Sequence, residues 1–233
     1  MKYIIVLGKG PSSRPLKKSL KYDIATINNS IWLAPNPTYS FFNDLESFEQ
    51  MTDEDFKGVT NLIVPSYLHT QANPRFNHNS TDFHFYKLSE FFPERFDHIN
   101  IYPYELHLND NNRPEESERI KLNPNQIPPK LPEWPRSTGQ TATMWLSMFT
   151  EYTNIIMMGC DPEGGYNPVF EKNSPHYMGS LNTPDFKGHS TAAQPGGYDL
   201  DFAQSLKWAK HHNVNLRHIN EVSIEEQKDL GLL

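Results

Sequence analysis

The sequence predicts an α/β fold, a single doubly wound domain with a mostly parallel sheet and long loops. Three observations carry this. The chain opens on a β-branched apolar run, Tyr3–Leu7, that stops at Gly8-Lys9-Gly10-Pro11-Ser12-Ser13. A second apolar run, Ile155–Met158, stops at Gly159-Cys160-Asp161-Pro162 and follows directly on a helical pattern. Further short strand patterns alternate with helical ones, and such alternation yields parallel strands covered on both faces.

The stretch 136–162 organises the rest. Arg136-Ser137-Thr138-Gly139 has the small polar composition of a tight turn whose amides face outward. Ala142, Trp145, Leu146 and Phe149 then recur at i, i+3, i+4 and i+7, with Met144 and Met148 beside them. That spacing predicts a helix buried over most of its surface. Ser137 or Thr138 is the expected N-cap, and an anion is expected near Ser137, Thr138 and Gly139, where free amides and the helix dipole favour negative charge. Asp161 follows a buried strand, which is where ligands gather in open α/β sheets, although its carboxylate suits the turn's own amides equally well.

Taken in order, Asp23–Ile27 reads as a second strand, ending at the pair Asn28-Asn29. Paired asparagines are turn formers, and they also bond a base or sugar without carrying charge. Thr38–Phe42 is a third strand and 45–56 an acidic helix, followed by strands at Asn61–Val64, Phe83–Tyr86 and Ile99–Tyr102. Residues 109–135 hold prolines at 114, 124, 128, 129, 132 and 135, together with Leu, Ile and Trp. This is expected to be a loop draped over the body. A second irregular stretch, 161–197, carries Tyr166, His176, Tyr177 and His189 and is expected to act as a lid. Tyr198–His211 is a helix with Phe202, Leu206 and Ala209 inward, Asn213–His218 a closing strand and Ile224–Leu230 a short C-terminal helix.

Composition bounds the function. A formal charge of −7 argues against broad nucleic-acid binding and leaves room for a local phosphate pocket. No apolar run approaches the roughly 20 residues of a membrane helix, and the N-terminus lacks the long apolar region of a signal peptide. The single cysteine, Cys160, excludes an internal disulfide framework and suits the cytoplasm. It reads as a small buried filler, and the Met144, Met148, Met157 and Met158 group reads as core. The 19 prolines and 12% aromatic content point to ordered, side-chain-rich loops. Nothing in the composition fixes the oligomeric state, and a homo-oligomer stays open.

GKGPSS after strand one is neither the full dinucleotide fingerprint, since Ser13 stands where the third glycine would fall, nor a Walker A loop. By itself it fits a plain strand-to-helix turn equally well. Together with the asparagine pair, RSTG opening a buried helix, and NIIMMGCDP followed by SPHYMGS, however, it forms an ordered set. This set resembles the bacterial sialyltransferases of glycosyltransferase family 42 and, more loosely, related Rossmann-like proteins that include archaeal hydroxymethylpterin pyrophosphokinases. The matching motifs run from the N-terminus to about Gly179.

The resemblance implies a Rossmann-like fold and metal-independent transfer of a sialic-acid-like sugar from a nucleotide donor linked to cytidine monophosphate. The acceptor would be a hydroxyl of a glycan or another molecule, with no further cofactor. It implies that Gly8, Gly10 and Ser12 contact the nucleotide phosphate and that Asn28 or Asn29 contacts the nucleotide. Ser137, Thr138 and Gly139 would hold donor groups with Arg136 close by. His176 would be the general base, and Tyr166 would stabilise the leaving phosphate.

Independently of any family, displacing a nucleotide from an anomeric carbon needs a base for the acceptor hydroxyl and stabilisation of the departing phosphate. A histidine suits the first task near neutral pH. Tyrosine hydroxyls, backbone amides and an arginine suit the second. His189 rivals His176 for the base. His211 and His212 follow Lys210 at a helix C-terminus, where cations complement the dipole. His69, His78 and His84 fit no metal-ligand spacing. Asp199-Leu200-Asp201 spells a metal-nucleotide signature, but it opens a helix, and capping explains it. A magnesium-dependent diphosphotransferase or phosphohydrolase, with Asp161, Asp199 and Asp201 as ligands, is the alternative enzyme. A nucleotide-binding module without catalysis is the alternative binding protein.

Overall fold

The computed structural model describes residues 2–34, 36–43, 47, 51–71, 83–87, 98–105, 129–131, 137–161, 167–170 and 197–233. Its centre is a seven-stranded sheet. The strands are β1 (Tyr3–Leu7), β2 (Tyr22–Ile27), β3 (Tyr39–Phe41), β4 (Asn61–Pro65), β7 (Asn100–Tyr104), β8 (Asn154–Met158) and β9 (Asn215–His218), in the spatial order β7-β4-β3-β2-β1-β8-β9. Every pairing is parallel. A separate antiparallel pair joins β5 (Tyr67–Gln71) to β6 (Phe83–Lys87). The expected Phe83–Tyr86 strand is thus real but lies outside the parallel sheet.

Alternation along each strand explains the two covered faces, because successive side chains point to opposite sides. Ile4 and Val6 of β1 pack with Ile27, Ile155, Met157 and Trp145 on one face. Ile5 and Leu7 pack on the other with Ile24, Ile156, Met158 and Leu230. The first face is covered by α2 (Thr138–Phe149) and α3 (Gly197–His211), and α4 (Ile224–Leu230) contributes to the second. Of the helix expected over 45–56, α1 (Asp53–Phe56) is seen, and Phe56 is buried among Phe42, Leu62 and Val64.

Helix α2 is buried from Thr138 to Ser147, as its apolar spacing requires, and only its last turn escapes, where Phe149 is 42% exposed. In α3 the inner positions are Phe202, Ser205 and Ala209. Leu206, expected inward, is 39% exposed. The helix is rotated toward the Ser205 side because Trp208 also packs against the core cluster.

The sheet grows from β1 toward β2, β3, β4 and β7 on one side and toward β8 and β9 on the other. The order reverses between β1 and β8, which is the topological switch point of a doubly wound sheet. The connection from β1 to β2 contains no helix. Pro11 and Pro15 account for this, since proline lacks the amide a helix needs and pushes the preceding residue out of helical geometry. Leu16 is buried in the layer a helix would fill, and its amide donates to the Leu33 carbonyl.

Candidate functional site at the β1–β8 switch point

Two turns are locked together beyond the carboxyl ends of β1 and β8. Gly8 N donates to Met158 O at 2.7 Å, and Gly10 N donates to Gly159 O at 2.7 Å. Gly159 N donates to Ser12 Oγ at 2.7 Å, and Ser12 N donates to Asp161 Oδ2 at 3.0 Å. The glycines follow from this proximity. A Cβ on Gly8 would lie 2.8 Å from Cys160 Sγ and closer still to the Gly159 carbonyl oxygen. Gly159 itself adopts φ +75°, which brings the chain back toward β1. Ser13 is buried, and both its amide and its hydroxyl donate to Gly10 O.

Asp161 therefore belongs to the turn. Its carboxylate is buried, with Oδ2 taking the Ser12 amide and Oδ1 standing 3.4 Å from His218 Nε2. Burial pushes its pKa up, but His218 and the Ser12 hydroxyl and amide outweigh that and hold it below the ordinary carboxylate value. Neither His218 nor Asn167 stood out in the sequence, yet both brace this edge. Asn167 N donates to Lys9 O at 2.7 Å, and its Nδ2 donates to Ser13 O at 2.6 Å. The rule that points to Asp161 also points to His218, because His218 is the last residue of a parallel strand.

Beside these turns stands the N-terminus of α2. Ser137 is its N-cap, and the side chain accepts from Gln140 N at 3.2 Å. By helix geometry the amides of Thr138 and Gly139 have no acceptor within the helix. Gly139 permits close docking on the sheet, since a Cβ there would lie 3.3 Å from Cys160 Sγ and 3.5 Å from Ile27 Cδ1. Cys160 is a partly buried packing residue between the glycine turn and this helix.

Asn28, at the end of β2, has φ +50°, a left-handed conformation that asparagine tolerates. Its Nδ2 donates to Thr138 Oγ1 at 3.3 Å. Asn29 is wholly buried next to it, and Ser30 ties the turn to β1 through Leu7 O at 2.5 Å. A second tether runs from α2 to the far side of the sheet. Thr141 Oγ1 donates to Ser137 O, Asn43 Nδ2 donates to Thr141 Oγ1 at 2.9 Å, and the Tyr104 hydroxyl donates to Asn43 Oδ1.

The structure thus brings Gly8, Gly10, Ser12, Asn28, Asn29, Ser137, Thr138, Gly139 and Asp161 to one edge of the sheet. Arg136, Tyr166, His176 and His189 lie outside the described residues, as do most of the 109–135 and 161–197 loops. Among the described residues no group of three or more His, Cys, Asp or Glu side chains is placed to hold a metal ion. No helix among them is long and apolar enough to cross a membrane.

Fold and edge together define the class: a Rossmann-like, doubly wound α/β protein with a helix N-terminus at its switch point. Comparison with protein-family models, with curated proteins and with solved structures yields no match.

Proposed function

We propose that this chain is a glycosyltransferase that moves a sialic-acid-like sugar from a nucleotide donor, with cytidine monophosphate as leaving group, to an acceptor hydroxyl. The observation that carries the reading is the Asn28 to Thr138 contact, which sets a capped helix N-terminus beside an uncharged polar turn at the switch point. A helix N-terminus attracts a phosphate, and neutral amides and hydroxyls suit a nucleoside.

In this reading the acceptor oxygen attacks the anomeric carbon as its proton passes to His176. The bond from that carbon to the phosphate oxygen breaks, and the electron pair leaves on the nucleotide. Tyr166, Arg136 and the first amides of α2 receive the developing phosphate charge, so no metal is required. Asp161 serves the scaffold and not the reaction, since its carboxylate faces Ser12 and His218. The single cysteine is compatible with work in a reducing cytoplasm.

Thermal denaturation with added nucleotides tests the proposal. Stabilisation by cytidine monophosphate in the presence of a chelator is the expected result. Stabilisation by ATP only with magnesium would replace the reading with a phosphotransferase. Tight nucleotide binding without turnover on any sugar donor would replace it with a binding module.

A further inference from the structure

We propose that His218 is the positioning residue of the switch-point edge, holding Asp161 so that Asp161 fixes the glycine turn on which a ligand would rest. The three groups come from three distant parts of the chain: the turn after β1, the turn after β8 and the last residue of β9. Each link is a named contact. Asn220 N donates to His218 Nδ1 at 3.3 Å, so that nitrogen is an acceptor and the ring proton sits on Nε2. Nε2 then faces Asp161 Oδ1 at 3.4 Å, an electrostatic contact longer than a well-formed hydrogen bond, and it has no other partner among the described residues. Asp161 Oδ2 takes the Ser12 amide at 3.0 Å.

The ring has little freedom. The His218 amide donates to Glu221 Oε2 at 2.8 Å, and Phe202 of α3 meets the imidazole edge-on, with centroids 6.4 Å apart. Both His218 and Asp161 are 6% exposed, so neither reaches a substrate. A buried carboxylate is costly without partners, and here it bridges the turn after β1 and the last residue of β9. Its effect is to hold Ser12, and with it Gly10, in one arrangement against Gly159.

The role of this edge as a nucleotide site rests on the function proposed above, but the positioning role is measured without ligand. Nitrogen NMR of the wild-type imidazole should show the proton on Nε2. In His218→Asn the shorter side chain keeps an acceptor for Asn220 and falls short of Asp161. The Ser12 amide should then exchange with solvent roughly 10- to 100-fold faster, the weight of one charge-assisted hydrogen bond, while Val6 in β1 is unchanged. His218→Gln places a donor near Nε2 and should restore slow exchange. A proton on Nδ1, equal acceleration at Ser12 and Val6, or a Gln variant no better than Asn would each overturn the proposal. If the Asn variant does not fold, the wild-type tautomer and the Gln variant still decide. Cytidine monophosphate affinity, measured alongside, should fall in the Asn variant and return in the Gln variant. A wild-type protein that does not bind it refutes the function and leaves the exchange result standing.

Discussion

The backbones of Gly8 and Gly159 run against each other so closely that neither position has room for a side chain, and a Cβ on Gly159 would lie 2.7 Å from Ser13 Cβ. The clash at Gly8 is with backbone, which cannot step aside. Gly8→Ala should therefore cost about 1–3 kcal/mol, the range of an overpacked site. At Gly10 the nearest obstacle is the tip of the Asp161 side chain, with the Gly159 carbonyl oxygen 2.9 Å away and closer still at Gly8, so Gly10→Ala should cost less while freeing the Ser12 amide. Urea unfolding of the two variants checks the order, and equal losses would contradict it.

The start of α2 depends on one hydroxyl. Ser137→Ala removes the acceptor for Gln140 N and should lower stability by ~1 kcal/mol. Because the cap also sets the direction of the first amides, nucleotide affinity should fall with it. Ser137→Asp keeps an acceptor and should recover stability but not affinity, since its charge opposes a phosphate.

Acid should weaken two separate tethers, one at the switch point and one between β9 and α4. The folded pKa of Asp161 lies below its ordinary value of 3.8, where burial opposes and His218 and Ser12 prevail. The stability from this shift is present above 3.8 and lost as pH falls through the folded value, because the unfolded chain takes up the proton first. Glu226, held down by a two-pronged pairing with Arg217 at 2.8 and 2.6 Å, acts the same way below its ordinary 4.5. Asp161→Asn should flatten the part of the acid limb that lies below 3.8, and Glu226→Gln the part that begins below 4.5. An unchanged limb in Asp161→Asn would contradict the assignment.

Strands and helices were largely legible in the sequence because both signals are local. The run from Tyr3 to Leu7 and the run from Ile155 to Met158 are apolar on both faces, as doubly covered parallel strands must be. The cap at Ser137 could be read from four residues. What escaped depends on partners far along the chain. The β5 strand, YLHTQ, lacks an apolar run and is defined by pairing with β6. Pro11 and Pro15 spoke locally against a helix between β1 and β2, but the docking of Leu16 at the Leu33 carbonyl did not show. The sequence also does not reveal that Gly8 and Gly10 leave room for the Gly159 backbone and the Asp161 carboxylate. Asp161 fitted both a ligand and its own turn, and the contact with His218, 57 positions later, lay beyond any local pattern.

Catalysis in the proposed reaction turns on a histidine. His176→Ala should lose roughly 10²–10⁴-fold in turnover, the range of a positioned base, with little change in donor affinity. His189→Ala, assayed in parallel, should retain its rate. The reverse pattern would move the base to His189.

The central claim is that a nucleotide binds where β1 and β8 part, against the start of α2. Titrating isotope-labelled protein with cytidine monophosphate in a chelator, and following each backbone amide, tests it most directly. The account predicts saturable shifts at Gly10, Asn28, Thr138 and Gly139. Tyr152, whose hydroxyl donates to Asp23 at 2.6 Å near the opposite end of the sheet, should stay unmoved. Saturation with no shift at those four amides, or shifts confined to the Tyr152 end, would contradict it.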